Sequence, residues 1–206
     1  MKPAELQIFT CDQGSPEWIQ ARLGVVTASE FKALMAKGEG KTRRKYLCTV
    51  AGERISGQPF ERFSNDHMER GKIQEDEARA SYEFLTGNAI EQVGFLRRGD
   101  VGYSPDGLIG KDGLLEIKTK LAHLHIECLL ADELPPEHRQ QCQGGLWVSG
   151  RQWLDFVSYS PGLPLFVKRV KRDEALIAKI KVEVDAFLAD LTEMVERITH
   201  YQAVAA

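Results

Sequence analysis

Three residues between positions 104 and 120 have the types and spacing to cut a phosphodiester: Asp106, Glu116 and Lys118, in the run SPDGLIGKDGLLEIKTK. Side chains alternate along a strand, so Glu116 and Lys118 share one face while Ile117 turns the other way, into the core. Gly107, Gly110, Asp112 and Gly113 are turn formers, and Leu114, Leu115 and Ile117 begin an apolar run. The spacing therefore predicts a hairpin that brings Asp106 back to the face of Glu116 and Lys118. Hard divalent cations such as Mg²⁺ are held by carboxylate, carbonyl and water oxygens. In two-metal sites the ions sit about 3.5–4 Å apart, close enough for one carboxylate to bridge them, and they stabilise the attacking and leaving oxygens. On this reading Asp106 bridges, Glu116 is the second ligand, and Lys118 orients the attacking water and counters charge on the phosphate. The same three residues also admit a plainer reading, a surface hairpin with ordinary charges.

Other segments would have to position such a site. Trp18 to Ser29 reads WIQARLGVVTAS, with Arg22 offering a planar fork of donors suited to phosphate. Thr27 or Ser29 could equally cap the helix begun by Glu30-Phe31-Lys32, and the two roles are compatible, because a helix start presents N–H groups to an anion. In Gly71 to Leu85, Ile73, Ala78, Tyr82 and Leu85 recur at helical spacing, with Glu75, Asp76 and Glu77 near the start, where negative charge is favourable. Gln141 and Gln143 stand in QCQGGLW, and by themselves are ordinary polar helix residues.

Taken in order, these segments resemble the lambda-type phage exonucleases and YqaJ-like recombinases of the PD-(D/E)XK superfamily. Trp18 to Ser29 is similar to that family's W-x3-R-x-G-x2-TAS signature, and Gly71 to Arg79 to its G-x3-E-x2-AR helix. The SPDG…EIK run is followed by Gln141 to Trp147, which resembles its Q-x-Q-x3-W helix. The resemblance implies catalytic residues Asp106, Glu116, Lys118, Glu75 and Gln143. It implies metal ligation by Asp106, Glu116, Glu75 and the backbone of Ile117, and a pocket for a terminal 5′-phosphate formed by Arg22, Ser29 and Ser104. The implied activity is 5′-to-3′ digestion of double-stranded DNA with two Mg²⁺ ions, Mn²⁺ able to substitute, releasing 5′-mononucleotides and leaving 3′ single strands. A homotrimeric ring and a phage single-strand annealing partner are implied with it. An endonuclease of the same superfamily, or a non-catalytic DNA-binding protein on the same fold, are the alternatives.

Composition bounds this reading. At 206 residues, 43% hydrophobic and 28% charged, the chain suits one globular nuclease domain over residues 1–206. No run nears the roughly eighteen apolar residues of a membrane span, and the first residues lack a secretory apolar core, so a cytoplasmic location without membrane contact is expected. The net charge of −3 runs against a nucleic-acid partner as an average, but the bases are clustered at Lys41–Lys45, Arg97-Arg98 and Lys168–Arg172. Lys41, Arg43, Arg44 and Lys45 are expected to contact DNA from a loop made mobile by Gly38 and Gly40, whereas Asp173-Glu174 caps the last helix. Cys11, Cys48, Cys128 and Cys142 are too widely spread for a zinc or iron–sulfur site. The isolated histidines read as surface or satisfied core residues.

The expected fold is α/β: a restriction-endonuclease-like core with a mixed central β-sheet flanked by helices. Helices are expected near Ser15–Arg22, Ser29–Ala36, Arg43–Ser56, Ser64–Thr86 and Pro136–Val148. Strands are expected near Ala89–Arg97, Val101–Ser104, Leu114–Lys120, Gln152–Ser160 and Phe166–Val170. Apolar positions Leu176, Ile180, Val184, Phe187, Leu191, Met194 and Ile198 predict a long C-terminal helix from Asp173 to Tyr201.

Overall fold

A computed structural model describes residues 4–36, 41–60 and 66–202. The elements run β1 (Leu6–Phe9), α1 (Pro16–Arg22), β2 (Val26–Thr27), a 3₁₀ turn (Ala28–Glu30), α2 (Phe31–Leu34), α3 (Lys41–Ser56) and α4 (Asp66–Thr86). They continue β3 (Ile90–Glu91), β4 (Phe95–Arg98), β5 (Val101–Tyr103), β6 (Gly107–Ile109), β7 (Gly113–Thr119) and α5 (Ala122–Ala131). A second 3₁₀ turn (Pro136–His138), α6 (Arg139–Ser149), β8 (Trp153–Tyr159), β9 (Phe166–Lys171) and α7 (Glu174–Thr199) complete the chain.

The mixed central sheet has the order β3-β6-β7-β8-β9, antiparallel except for the parallel β7–β8 pair. A smaller sheet, β1-β4-β5-β2, stands beside it, and the stretch expected as one strand from Ala89 to Arg97 is divided between the two as β3 and β4. The β7 strand is paired on both edges and covered on both faces, which is why Gly113 to Ile117 are all buried. Leu114 belongs to the larger core, with Leu146 of α6, Leu154 and Phe156 of β8, and Ile180, Val184, Phe187 and Leu191 of α7. Leu115 and Ile117 face the opposite core, against Ala78 and Tyr82 of α4. Ile117 thus points into a core, and Glu116 stands on the other face, as alternation requires.

Local chemistry accounts for the helix ends. Ser15 caps α1, its hydroxyl accepting from Trp18 N at 3.2 Å with Pro16 in the first turn. Asp173 caps α7 by accepting from Leu176 N at 3.0 Å. Gly150 ends α6 at φ +78°, a conformation without penalty for glycine. Four elements lie outside the expected set: the short strands β1, β2 and β6, and the helix α5. The β1 strand is short and half-solvated, at the edge of its sheet beside β4. The α5 helix begins at Leu121 without a side-chain cap and keeps Leu130 exposed, so neither a start signal nor a clean apolar stripe marks it. Residues Ser64 and Asn65 at the expected start of α4, and Gly38 and Gly40, lie outside the described residues. Among the described residues, no helix is long and apolar enough to cross a membrane.

Lys41 to Lys45 form the start of α3 and not a loop. Helix geometry dominates here, since Leu47, Val50 and Ala51 of α3 must face the core. Arg43 serves packing: its guanidinium lies 2.7 Å from Asp190 and 5.3 Å from the Phe187 ring centroid, tying α3 to α7. The Lys168–Arg172 cluster is largely consumed in the same way, with Lys168 on Asp132 (3.2 Å), Arg169 on Asp155 (2.8 Å) and Arg172 on Glu174 (2.6 Å).

Candidate active site

The hairpin of β6 and β7 folds Asp106 back as its turn residues require. Arg151 holds the turn by donating to the carbonyls of Gly110 (2.8 Å) and Gly113 (2.7 Å). Asp106 N donates to Leu115 O at 3.1 Å, and the Asp106 carboxylate accepts from Ile117 N at 2.5 Å. In a strand, the N–H and C=O of one residue point to the same edge, so the Ile117 carbonyl faces the side on which Asp106 lies. Register places Ile117 beyond the end of β6, whose last partner on this side is Leu115.

Glu116 is 1% exposed and accepts from three donors. One oxygen, Oε1, accepts from Lys118 Nζ at 2.5 Å and from Gln141 Nε2 at 2.5 Å. The other, Oε2, accepts from the buried Tyr103 hydroxyl at 2.5 Å. Burial pushes the Asp106 carboxyl well above its usual range, and the charges of Glu116 and Glu75 add to the push, while Lys118 and the Ile117 N–H oppose it. Burial works against the Lys118 ammonium, but Glu116 and then Asp106 outweigh it and raise its pKa. Two carboxylates and one ammonium therefore share a poorly solvated spot, within reach of the Glu75 charge.

Glu75 stands on the far side of Asp106, in a cleft lined also by Gln13, Asp76, Arg79 and Gln92. It is held by Arg79 at 2.6 Å, and Arg79 also binds Asp76 at 2.6 Å and the Asp106 carbonyl at 3.2 Å. Burial raises the Glu75 pKa, with Arg79 acting against it.

A second cleft gathers the remaining residues. Arg22, Thr27, Ser29, Tyr103, Ser104, Asp106, Glu116, Lys118 and Gln141 all line it. Arg22 lies over the Trp18 ring, 4.3 Å from its centroid, and donates to Ser104 Oγ at 2.8 Å. Trp18 Nε1 donates to the same oxygen at 3.0 Å. With both lone pairs of Ser104 Oγ so used, its own O–H is left as a donor. Thr27 and Ser29 pair through their hydroxyls at 3.1 Å, and no side-chain capping bond forms at Thr27. The sequence-expected set Arg22, Ser29 and Ser104 is thus brought together with Asp106, Glu116 and Lys118.

Gln143 is not in this cleft. It is buried in α6, donating to the Lys171 carbonyl at 2.8 Å and accepting from Asp173 N at 2.8 Å, so it clamps α6 to the β9–α7 junction. Residues two apart on a helix point roughly 200° apart, and Gln141 holds the cleft side instead. Neither Gln141 nor Tyr103 was expected as a site residue; for Gln141 the signal lay in the same Gln-x-Gln pair, whereas Tyr103 had none. Lys41, Arg43, Arg44 and Lys45 do not line either cleft.

Among the described residues, no three His, Cys, Asp or Glu side chains stand close enough to enclose a metal ion. The donor set that does fit a hard cation is the pair of carboxylates Asp106 and Glu116 with the Ile117 carbonyl, all oxygen, and such a cation would offset both the burial and the carboxylate repulsion that raise the Asp106 pKa.

Residues 17–152 match the YqaJ-like viral recombinase domain. The crystal structure of an alkaline exonuclease (LHK-Exo) from Laribacter hongkongensis is 38% identical, with a TM-score of 0.82, covering 90% of this chain and 96% of that one. The structure of LHK-Exo in complex with dAMP is 40% identical, with a TM-score of 0.83, covering 89% of this chain and 96% of that one. A phage related exonuclease from Haemophilus somnus 129PT is 16% identical, with a TM-score of 0.62 over 84% of this chain and 96% of that one, and shares the fold. No curated protein matches.

Proposed function

Because this chain belongs to the YqaJ-like viral recombinase family, we propose that it is a DNA exonuclease that digests double-stranded DNA from 5′ ends, with Mg²⁺ or substituting Mn²⁺ as cofactor. The observation that carries this reading is the single cleft in which Arg22, Ser29 and Ser104 stand beside Asp106, Glu116 and Lys118. A terminal 5′-phosphate held by the first trio sets the next phosphodiester against the second. Water attacks that phosphorus, the 3′-oxygen of the terminal nucleotide leaves, and a 5′-mononucleotide is released. The phosphate stays on the shortened strand, so each cut regenerates the group the pocket holds. Repeated cuts leave a 3′ single strand for strand annealing. The complex of LHK-Exo with dAMP supports a nucleoside monophosphate product.

Each residue has a role set by its chemistry. Cations held by Asp106, Glu116, the Ile117 carbonyl and Glu75 would supply charge neutralisation at the attacking and leaving oxygens. Lys118, charged despite its burial, orients the water and offsets charge on the phosphate. Arg22, flattened on Trp18, presents its fork to the terminal phosphate. Gln141 stands in the cleft, where the resemblance had suggested Gln143. The resemblance also points to a homotrimeric ring working with a phage single-strand annealing protein.

Closed circular plasmid, the same plasmid linearised, and linear duplexes with 5′-phosphate or 5′-hydroxyl ends test the proposal. Closed circles should survive, linear DNA should be digested, and 5′-phosphate ends should be digested at least about tenfold faster, since a hydroxyl cannot replace charge-assisted hydrogen bonds. Arg22→Ala should remove most of that preference. Nicking of closed circles would indicate an endonuclease, and equal rates on both ends would remove the phosphate pocket from the account.

A further inference from the structure

We infer that Tyr103 is a positioning residue that sets the direction of the lone pair Glu116 offers to a cation, an inference that rests on Glu116 being a metal ligand. A carboxylate has about four lone-pair positions, two on each oxygen. Gln141 and Lys118 both donate to Oε1, which accounts for its two. Oε2 accepts from the Tyr103 hydroxyl at 2.5 Å, so one position on Oε2 remains. The Tyr103 O–H therefore decides where that position points.

The placement of Tyr103 leaves little play. It is 2% exposed at the end of β5, and its ring lies where a β-carbon on Gly145 of α6 would stand. Two elements that close the site, β5 and α6, thus meet on this ring, and its hydroxyl reaches across to β7. A side chain that orients a metal ligand without touching the metal typically matters 10–100-fold in metal affinity or activity.

Tyr103→Phe removes the hydroxyl and keeps the ring, so the ring packing survives and the carboxylate is released to turn. Titration calorimetry with Mn²⁺ should show affinity falling about 10–100-fold relative to wild type, with the melting temperature of the metal-free protein within a few degrees of it. Excess Mn²⁺ should restore turnover on linear duplex DNA. In a Glu116→Gln background the same substitution should change Mn²⁺ affinity no further, and this cycle reads the pair even if Tyr103→Phe is less stable. Unchanged Mn²⁺ affinity in Tyr103→Phe, or an equal loss with and without Glu116, would overturn the positioning role. A wild-type protein that binds no Mn²⁺ would instead remove Glu116 from metal binding altogether, and the role of Tyr103 with it.

Discussion

Asp106 is the residue at which stability and chemistry pull apart. Its carboxylate is raised in pKa by burial and by Glu116 and Glu75, so the folded state holds a charge it would be more stable without. Asparagine keeps the shape and can still accept from Ile117 N. Asp106→Asn should therefore raise the melting temperature in EDTA at neutral pH while lowering turnover about 100- to 1000-fold, the scale of losing a single electrostatic stabiliser. A variant that melts several degrees below wild type would contradict the electrostatic account. His138 acts in the opposite sense. Burial holds its imidazole neutral and Lys118, Lys120 and Lys32 add to that, lowering the pKa from 6.5 to about 4. Glu137, 3.7 Å away, opposes this only in part, since its carboxylate also takes Lys120 at 3.3 Å. A base whose folded pKa is depressed contributes stability present above pH 6.5 and lost as pH falls toward 4. Denaturant midpoints across that window should fall in wild type and flatten in His138→Phe, where the ring still stacks on Phe156.

Among elements, α4 must be held firmly because it carries Glu75 and Arg79. It has one polar anchor deep in the second core, where the Tyr82 hydroxyl donates to Asp155 on β8 at 2.6 Å. Asp155 also receives two bonds from Arg169 at 2.8 Å, and Arg169 lies 3.7 Å from the Trp153 ring centroid. Tyr82→Phe leaves the Asp155 carboxylate short of one partner and should cost about 1–3 kcal/mol in chemical denaturation. Cleavage at saturating metal should be nearly unchanged, because the ring still packs on Ile117 and keeps α4 in register. The α5 helix has a comparable anchor in His125. Its Nε2 donates to the Pro164 carbonyl at 2.9 Å, and its Nδ1 pairs with the Ser158 hydroxyl at 2.8 Å. With both ring nitrogens partnered, His125 is a satisfied core residue.

At the scale of the molecule, both described clefts open around one hairpin, and a chain of 206 residues does not encircle a duplex by itself. Processive digestion then requires a closed oligomer or repeated rebinding, and cyclic symmetry closes a ring from head-to-tail contacts. Light scattering should report three times the chain mass. Processivity measured after loading should resist added salt better than the initial rate, because loading depends on screened phosphate contacts and a closed ring does not. A monomer at micromolar concentration that removes kilobases per binding event would break that link.

The geometry of the β6–β7 hairpin was legible from local rules alone. Alternation put Glu116 opposite Ile117, and turn formers returned Asp106 to them. The phosphate trio needed the motif order, because Arg22 and Ser104 are 82 residues apart and no periodicity joins them. Other choices belonged to tertiary packing. Gln141 and Gln143 have the same chemistry, and which one faces the cleft depends on how Gly144 and Gly145 let α6 approach Phe31 and Tyr103. Arg43 has the charge of a DNA contact, yet the nearness of Asp190 and Phe187 turned it to structure. A side chain's type is written in the chain, whereas its direction is settled by which distant surfaces must lose water together, and that is decided only on folding.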